Sequence, residues 1–150
     1  NKNYVGFSIT AGHPTRIKEI NYEEIFKVAN YFSDKFIPTF FVENKFQELI
    51  AKIKKNVKKA YFPEHQTSVE LKKPMLVTAL GSLTKFNITI DNGISHMLSF
   101  SNNKSYIFYN KSSKKFQPLN GNSVIYDCSL KNISIDKLSS EKIIEFIEKN

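Results

Sequence analysis

The stretch Phe86-Asn-Ile-Thr-Ile-Asp-Asn-Gly-Ile-Ser-His-Met-Leu-Ser-Phe100 decides the fold. Its first five residues alternate apolar and polar side chains in a β-branched, aromatic run, which is typical of a β-strand. The alternation stops at Asp-Asn-Gly, residues 91–93, a sequence that favours a sharp turn. Apolar residues then recur at helical spacing from Ile94 onward. The stretch therefore predicts a strand, a glycine turn and a helix in direct succession.

The start of this predicted helix is a place where an anion could bind. The first amides of a helix have no partner within it, and the helix dipole adds partial positive charge there. Gly93 would let the backbone approach a diphosphate closely, while Asp91 and His96 would flank the anion. A purely structural interpretation also fits, with Asp91 as a turn or N-cap residue, Gly93 at positive φ and His96 on the helix surface.

Length, charge and cysteine usage limit the class of protein. A chain of 150 residues with 41% apolar and 13% aromatic residues suits one compact domain. Lys and Arg number 22 against 14 acidic residues, so the net charge of +8 favours anionic partners such as nucleotides, nucleic acid or an acidic membrane face. The single cysteine, Cys128, excludes an internal disulfide framework and indicates a cytoplasmic protein with one inert core thiol. No apolar run approaches the roughly 20 residues that a membrane span needs, which predicts a soluble chain.

The remaining elements alternate along the chain. Asn21 followed by Glu24 has the form of a helix N-cap with an acidic third residue, and Ser140 is predicted to cap the last helix. His65 is predicted to face solvent. The other predicted strands cover residues 4–10, 36–42, 60–62, 105–109 and 123–128, and the other predicted helices cover residues 22–33, 46–57, 74–85 and 140–147. This order predicts an α/β fold with a doubly wound, mostly parallel, Rossmann-like sheet and helices on both faces.

Ligands of such sheets bind outside the carboxyl ends of the strands. Three predicted strand ends are followed by suggestive polar residues: 10–16 after the first strand, Glu43 and its neighbours after the second, and 91–96 after the central one. Because parallel strands end on the same edge of the sheet, the fold would bring these segments together. The sequence therefore predicts one candidate site on that edge.

The order of elements, and above all the segment Ile90-Asp-Asn-Gly-Ile-Ser-His-Met97, resembles the carboxyl-terminal half of the heptosyltransferase family, glycosyltransferase family 9. The corresponding family segment has Asp-Thr-Gly, an apolar residue, any residue and then His. The resemblance covers nearly the whole chain. It implies one half of a GT-B fold, in which two doubly wound domains face a cleft. Residues 1–150 would then be the nucleotide-sugar (donor) binding domain, and the absence of an initial methionine agrees with a piece of a longer protein.

The resemblance also implies the site residues. The motif would line the diphosphate and ribose of the donor through Asp91, Asn92, Gly93, Ile94 and His96. Thr10 and Arg16 would lie against the phosphates, where the cation offsets negative charge as the nucleoside diphosphate leaves, without a metal. A glutamate after the second strand would contact the nucleotide, and both Glu48 and Glu43 are candidates.

The resemblance implies a glycosyltransferase that moves a sugar from a nucleotide-diphosphate donor to lipopolysaccharide or another glycan or lipid-linked acceptor, with no cofactor and no metal. Its partner would be the N-terminal acceptor domain of the same protein, which holds the catalytic acidic residue. The chain alone would then be an inactive fragment. Peripheral contact with the inner face of a bacterial membrane is compatible with this function.

Three departures from the family pattern and two alternatives accompany this interpretation. Asn92 replaces Thr or Ser, 102–103 (Asn-Asn) replaces Leu-Gly, and Asn110 begins a segment where the family has Gly-Pro-Thr. One alternative is a degenerate, non-catalytic transferase domain. The other is a basic module for nucleic acid or an anionic membrane, using the lysines of 45–59 and 111–115. Nucleic acid is disfavoured because no aromatic or glycine-rich elements interleave with those lysines.

Overall fold

The computed structural model of this chain describes residues 3–10, 20–66, 74–111, 115, 117–119 and 121–150. Within these ranges the strands are β1 (Tyr4–Ser8), β2 (Ile37–Phe40), β3 (Thr84–Ile90), β4 (Lys104–Tyr109) and β5 (Ser123–Asp127). The α-helices are α1 (Tyr22–Phe32), α2 (Gln47–Asn56), α3 (Pro74–Leu83), α4 (Gly93–Ser99) and α5 (Ser140–Lys149). Short 3₁₀ turns cover Pro63–Gln66, Ser129–Lys131 and Ile135–Lys137.

The five strands form one sheet in the order β2-β1-β3-β4-β5, and every pair is parallel. This confirms the predicted doubly wound α/β fold. The chain moves outward from β1 to β2, and then crosses back past β1 to form β3 and the strands beyond it. The direction of winding therefore reverses between β1 and β3, which is the topological switch point where open parallel sheets bind ligands.

The two faces of the sheet differ in polarity because side chains alternate along each strand. Phe86, Ile88 and Ile90 of β3 belong to the main core, which also contains buried residues of α1, α2 and α5. Asn87 and Thr89 point to the opposite face, where α3 and α4 pack on the sheet and on each other. The apolar cluster on that side is small, and its buried members are Phe41, Val77 and Leu98. Helices thus cover both faces, as predicted.

The first helix begins as the sequence predicts, and the last one does not. Asn21 caps α1, because its side-chain oxygen accepts a hydrogen bond from the Glu23 amide at 3.0 Å. The predicted cap at Ser140 is wrong, since α5 starts at Ser140 and its N-cap, Ser139, makes no side-chain capping bond. The Ser140 amide instead donates to the carboxylate of Glu24 on α1 at 2.7 Å. A distant carboxylate therefore takes the place of a local cap.

Two further local predictions need correction. The predicted strand at 60–62 is only an isolated bridge between Tyr61 and Thr39, because the buried Pro63 starts a 3₁₀ turn directly afterwards. His65 does not face solvent. Its ring is half-buried, bonds through Nε2 to the carbonyl oxygen of Val42 at 2.8 Å, and stacks 5.2 Å from the ring of Phe62.

Cys128 is the inert core thiol that the sequence predicts. Its side chain is fully buried just beyond β5, and burial raises the pKa of the thiol to about 11. The reactive thiolate is therefore scarce near neutral pH. None of the helices in the described ranges is both long enough and apolar enough to cross a bilayer.

The Glu24 carboxylate joins α1 to α5 and should make stability depend on pH. It accepts hydrogen bonds from Lys27 at 2.6 Å and from the Ser140 amide, and these lower the pKa of Glu24 from 4.5 to about 2, the Lys27 bond first. A lowered pKa in the folded state stabilises the protein above about pH 4.5, and this stabilisation is lost as the pH falls toward about 2. Glu24→Gln should therefore cost about 1 to 2 kcal/mol of unfolding free energy at neutral pH.

Urea unfolding of both proteins at about pH 7 and about pH 3 would measure this difference, which should shrink in acid. Glu23→Gln is the matched control, because Glu23 is an exposed carboxylate in the same turn of α1. An unfolding free energy for Glu24→Gln equal to that of the wild type at neutral pH would contradict the assigned role.

Candidate functional site

The candidate site lies at the carboxyl edge of the sheet, where β1 and β3 end side by side. Ser8 and Thr89 are the last residues that pair between β1 and β3, so the pairing of these two strands ends here. The chain then continues to Thr10 on one side and to Asn92 on the other. This is the switch point of the sheet, and the sequence predicted site residues in both of these segments.

The side chain of Asn92 connects the two strand ends. Asn92 is the N-cap of α4, and its Oδ1 accepts from the Ser95 amide at 2.8 Å. Its Nδ2 donates to the Ser8 hydroxyl at 2.9 Å and to the Thr10 carbonyl at 3.0 Å. Only 8% of Asn92 is exposed. Asn92, and not Asp91, is therefore the capping residue, and its side chain faces the protein.

Gly93 opens α4, and its Cα is not covered by the described residues. The residue is exposed, and apart from its chain neighbours and the backbone of its own helix, no atom of the described residues lies within 4 Å of the position that a Cβ would occupy. None of the described glycines has positive φ, so the structural interpretation of Gly93 as a positive-φ turn residue is wrong. Gly93 and Ile94 belong to the first turn, whose amides have no acceptor within a helix. The backbone here is thus accessible to a ligand.

The other predicted residues of the motif lie close by. Ile94 and His96 are half-buried on α4, and Asp91 is half-buried between β3 and the helix. Because α4 has only seven residues, the whole motif is compact. Arg16, the predicted cation, lies outside the described residues.

The two glutamates that follow β2 have different surroundings. Glu43 is exposed and forms an ion pair with Lys45 at 2.7 Å. Glu48 lies in the first turn of α2 and lines a surface cavity of about 460 Å³, together with Tyr22 of α1, Lys45, Phe46 and Lys52. β2 is separated from β3 by β1 alone, so these residues follow a strand two spacings, about 10 Å, from the Asn92 segment. The choice between Glu43 and Glu48 stays a prediction.

The departures from the family pattern have structural roles. The Asn103 side chain is buried and donates from Nδ2 to the carbonyl oxygens of Gly81 and Thr84, both at 2.7 Å, which joins the start of β4 to the end of α3. Asn110 accepts a hydrogen bond from the Ile135 amide at 3.2 Å. Sequence reasoning did not foresee these bonds, or the part that Ser8 takes at the switch point. The one available signal for Ser8 was a polar residue inside an apolar strand.

The described part of the site offers the backbone amides of the first turn of α4. Such groups bind an anion by hydrogen bonds. Across the described ranges, no group of three or more His, Cys, Asp and Glu side chains is placed to hold a metal ion.

Comparison with solved structures finds the same fold in glycosyltransferases. A glycosyltransferase of family 9 from Veillonella parvula superposes with a TM-score of 0.78 at 19% identity, over 97% of this chain and 45% of that one. The E. coli heptosyltransferase WaaC with ADP-2-deoxy-2-fluoro heptose gives a TM-score of 0.76 at 15% identity, over 99% and 43%. The E. coli ADP-heptose lipopolysaccharide heptosyltransferase II gives 0.78 at 17%, over 97% and 45%.

These matches confirm the fold that the resemblance implied, a Rossmann-like α/β fold of the kind that forms one half of the GT-B architecture. The chain spans less than half the length of each of these structures. Neither the protein-family models nor the curated proteins include a match to this sequence.

Proposed function

We propose that this chain binds the nucleotide-diphosphate sugar donor of a glycosyltransferase that transfers the sugar to lipopolysaccharide or another glycan acceptor. The observation that carries the proposal is the accessible backbone of Gly93 at the switch point of the sheet. The E. coli heptosyltransferase WaaC, which has the same fold, is solved both with ADP-2-deoxy-2-fluoro heptose and with ADP, and this supports a nucleotide ligand.

Each residue of the site has a proposed role. The amides of Gly93 and Ile94 receive the diphosphate, and Thr10 and Arg16 approach it from the β1 side. Asp91 and His96 of the motif also contact the donor, Glu48 meets the nucleoside, and Asn92 completes the site as the cap of α4. The cavity beside Glu48 has space for part of a nucleoside and an aromatic neighbour in Phe46.

The whole transferase is part of the proposal as well. The catalytic acidic residue and the acceptor site belong to a second, N-terminal domain, so the chain alone transfers no sugar. Metal is not required, because Arg16 offsets the charge of the departing nucleoside diphosphate. A lipid-linked acceptor would bring the cytoplasmic protein into peripheral contact with the inner face of the membrane.

A second candidate function is a basic binding module for an anionic polymer or membrane. The observation that favours it is the row of exposed lysines on and just after α2, which are Lys52, Lys54, Lys55, Lys58 and Lys59. Binding of this kind should weaken steeply as salt rises, because each neutralised phosphate releases counterions. A pocket for one diphosphate should respond mildly to salt.

Isothermal titration calorimetry with ADP and other nucleoside diphosphates tests the proposal. We expect saturable binding of at least one of them. Arg16→Ala and His96→Ala should each weaken it about tenfold, because each removes a group that donates to the ligand. The measurement is repeated at low and high salt to distinguish the two candidate functions.

Lys55→Ala is the control, since it removes one positive charge, as Arg16→Ala does, from an exposed position on α2. Its affinity for the nucleotide should match that of the wild type. Absence of heat with every nucleoside diphosphate, together with unchanged melting temperatures, would overturn the proposal.

A further inference from the structure

We propose that Asn92 is a positioning residue, which holds the end of β1 against the first turn of α4 so that both act on one diphosphate. The inference rests on the proposed function. It assigns to Asn92 a purpose that capping a helix does not require. The inference is drawn from the hydrogen bonds that the oxygen and the NH₂ group of its side chain make.

Capping uses only the oxygen of the Asn92 side chain. A serine, threonine or aspartate oxygen would cap α4 about as well, since these residue types are all favoured at the N-cap. The NH₂ group is used separately, and its hydrogens go to the end of β1 and the residues just after it. They are donated to the Ser8 hydroxyl at 2.9 Å and the Thr10 carbonyl at 3.0 Å, with the Ser8 carbonyl at 3.4 Å as a weaker acceptor. Serine and threonine have one donor hydrogen, and an ionised aspartate has none. Asparagine is the short side chain that can cap α4 and bond twice across the switch point.

The bonds of Asn92 reach past the end of the ladder. The last paired residues of β1 and β3 are Ser8 and Thr89, so the bond to Thr10 extends the connection beyond the ladder. Ser8 is fully buried, and only 6% of Thr10 and 8% of Asn92 are exposed. Water therefore has little access to these groups, and the bonds gain strength from the low local dielectric.

The consequence concerns the relative placement of two segments. Thr10 and Gly93 belong to different strand ends, and the Asn92 side chain is bonded to one and adjacent in sequence to the other. Because the two segments are already fixed relative to each other in the free protein, less conformational entropy is lost when the ligand binds. Loss of the NH₂ group should thus weaken nucleotide binding even where α4 stays capped.

Asn92→Thr separates these roles, because threonine keeps an N-cap oxygen and removes the NH₂ group. Asn103→Thr is the matched control. Asn103 is also buried, at 6% exposure, and its NH₂ group also donates two hydrogen bonds, both to backbone carbonyls. It does so at the opposite edge of the sheet, between the start of β4 and the end of α3. The two substitutions should lower the melting temperature by similar amounts. Only Asn92→Thr should weaken ADP binding, by about tenfold.

The ratio of the ADP affinity to the AMP affinity distinguishes a positioning role of Asn92 from a purely structural one, because a loss of stability alone should not change this ratio. Asn92→Thr should lower this ratio, because the second phosphate depends on both segments, and Asn103→Thr should leave it unchanged. Ser8→Ala adds a double-mutant cycle, since it removes one acceptor of the same NH₂ group. Its effect on ADP affinity should disappear once Asn92 is threonine.

Each outcome decides the question. Equal ADP affinities for wild type, Asn92→Thr and Asn103→Thr would overturn the inference and leave the proposed function standing. Absence of ADP binding by the wild type would overturn the proposed function instead. In that case, hydrogen exchange at the amides of residues 9 and 10 still tests whether the Asn92 side chain holds the end of β1. Exchange at these amides should be faster in Asn92→Thr than in Asn103→Thr. Equal exchange rates would show that Asn92 does not hold this segment.

Discussion

Replacing Gly6 with alanine is expected to lower the unfolding free energy by about 2 to 3 kcal/mol, through overpacking of the sheet surface. Gly6 lies in β1 between its two partner strands, opposite Thr39 and Asn87. A Cβ at this position would lie 2.2 Å from Oδ1 of Asn87 and 3.1 Å from the ring of Phe41. Both side chains are fully buried, so neither has solvent to move into.

Gly121→Ala is the matched control, because a Cβ on Gly121 meets no atom of the described residues beyond its chain neighbours within 4 Å, and its φ is not positive. This substitution should change stability by less than about 1 kcal/mol. Asn87→Ala in the Gly6→Ala protein should restore part of the loss, since it removes the nearer clashing group. Chemical denaturation measures all three proteins. A Gly6→Ala protein as stable as the wild type would show that the sheet accommodates the methyl group.

Replacing Gly93 with alanine is expected to weaken nucleotide binding by about tenfold or more, which corresponds to about 1.4 kcal/mol or more of binding free energy. A Cβ at this exposed position fills space that the described residues leave open in front of the first turn of α4. Stability should stay equal or rise slightly, because alanine is about 1 kcal/mol more favourable than glycine within a helix. Gly93→Ala should therefore lower the nucleotide affinity without lowering the stability of the fold.

The Gly121→Ala protein serves again as the control, now for nucleotide affinity, which it should not alter. Calorimetry with ADP and thermal melts on the same samples give the two quantities. A Gly93→Ala protein that binds ADP as tightly as the wild type would remove the main reason for placing the phosphates at α4.

The elements of the fold were predictable because local signals mark most of their ends. The period-two pattern of β3 and the cap at Asn21 are examples. The junction of α3 and β3 was harder, since the predicted helix ran to Lys85 while β3 already begins at Thr84. Here the helix end is marked by the Thr84 hydroxyl, which bonds to the Gly81 carbonyl at 2.7 Å, and not by a glycine or proline stop signal.

The site was predictable only where its residues are neighbours in sequence. The segment after β3 was found from its strand, turn and helix pattern. The bonds from Asn92 to Ser8 and Thr10 join residues 84 and 82 positions apart, and no local pattern encodes them. The same limit explains Ser140, whose partner Glu24 lies 116 positions away. Long-range polar partners depend on the strand order, which periodicity does not determine.

Binding of a diphosphate between the end of β1 and the first turn of α4 is tested most directly by an NMR titration of the isotope-labelled chain with ADP. We predict that the amide signals of Thr10, Asn92, Gly93 and Ile94 shift together along one saturation curve, while those near Asn103, at the opposite edge of the sheet, stay in place. Shifts confined to the lysine-bearing part of α2, or no shift at the switch point under saturating ADP, would contradict this prediction.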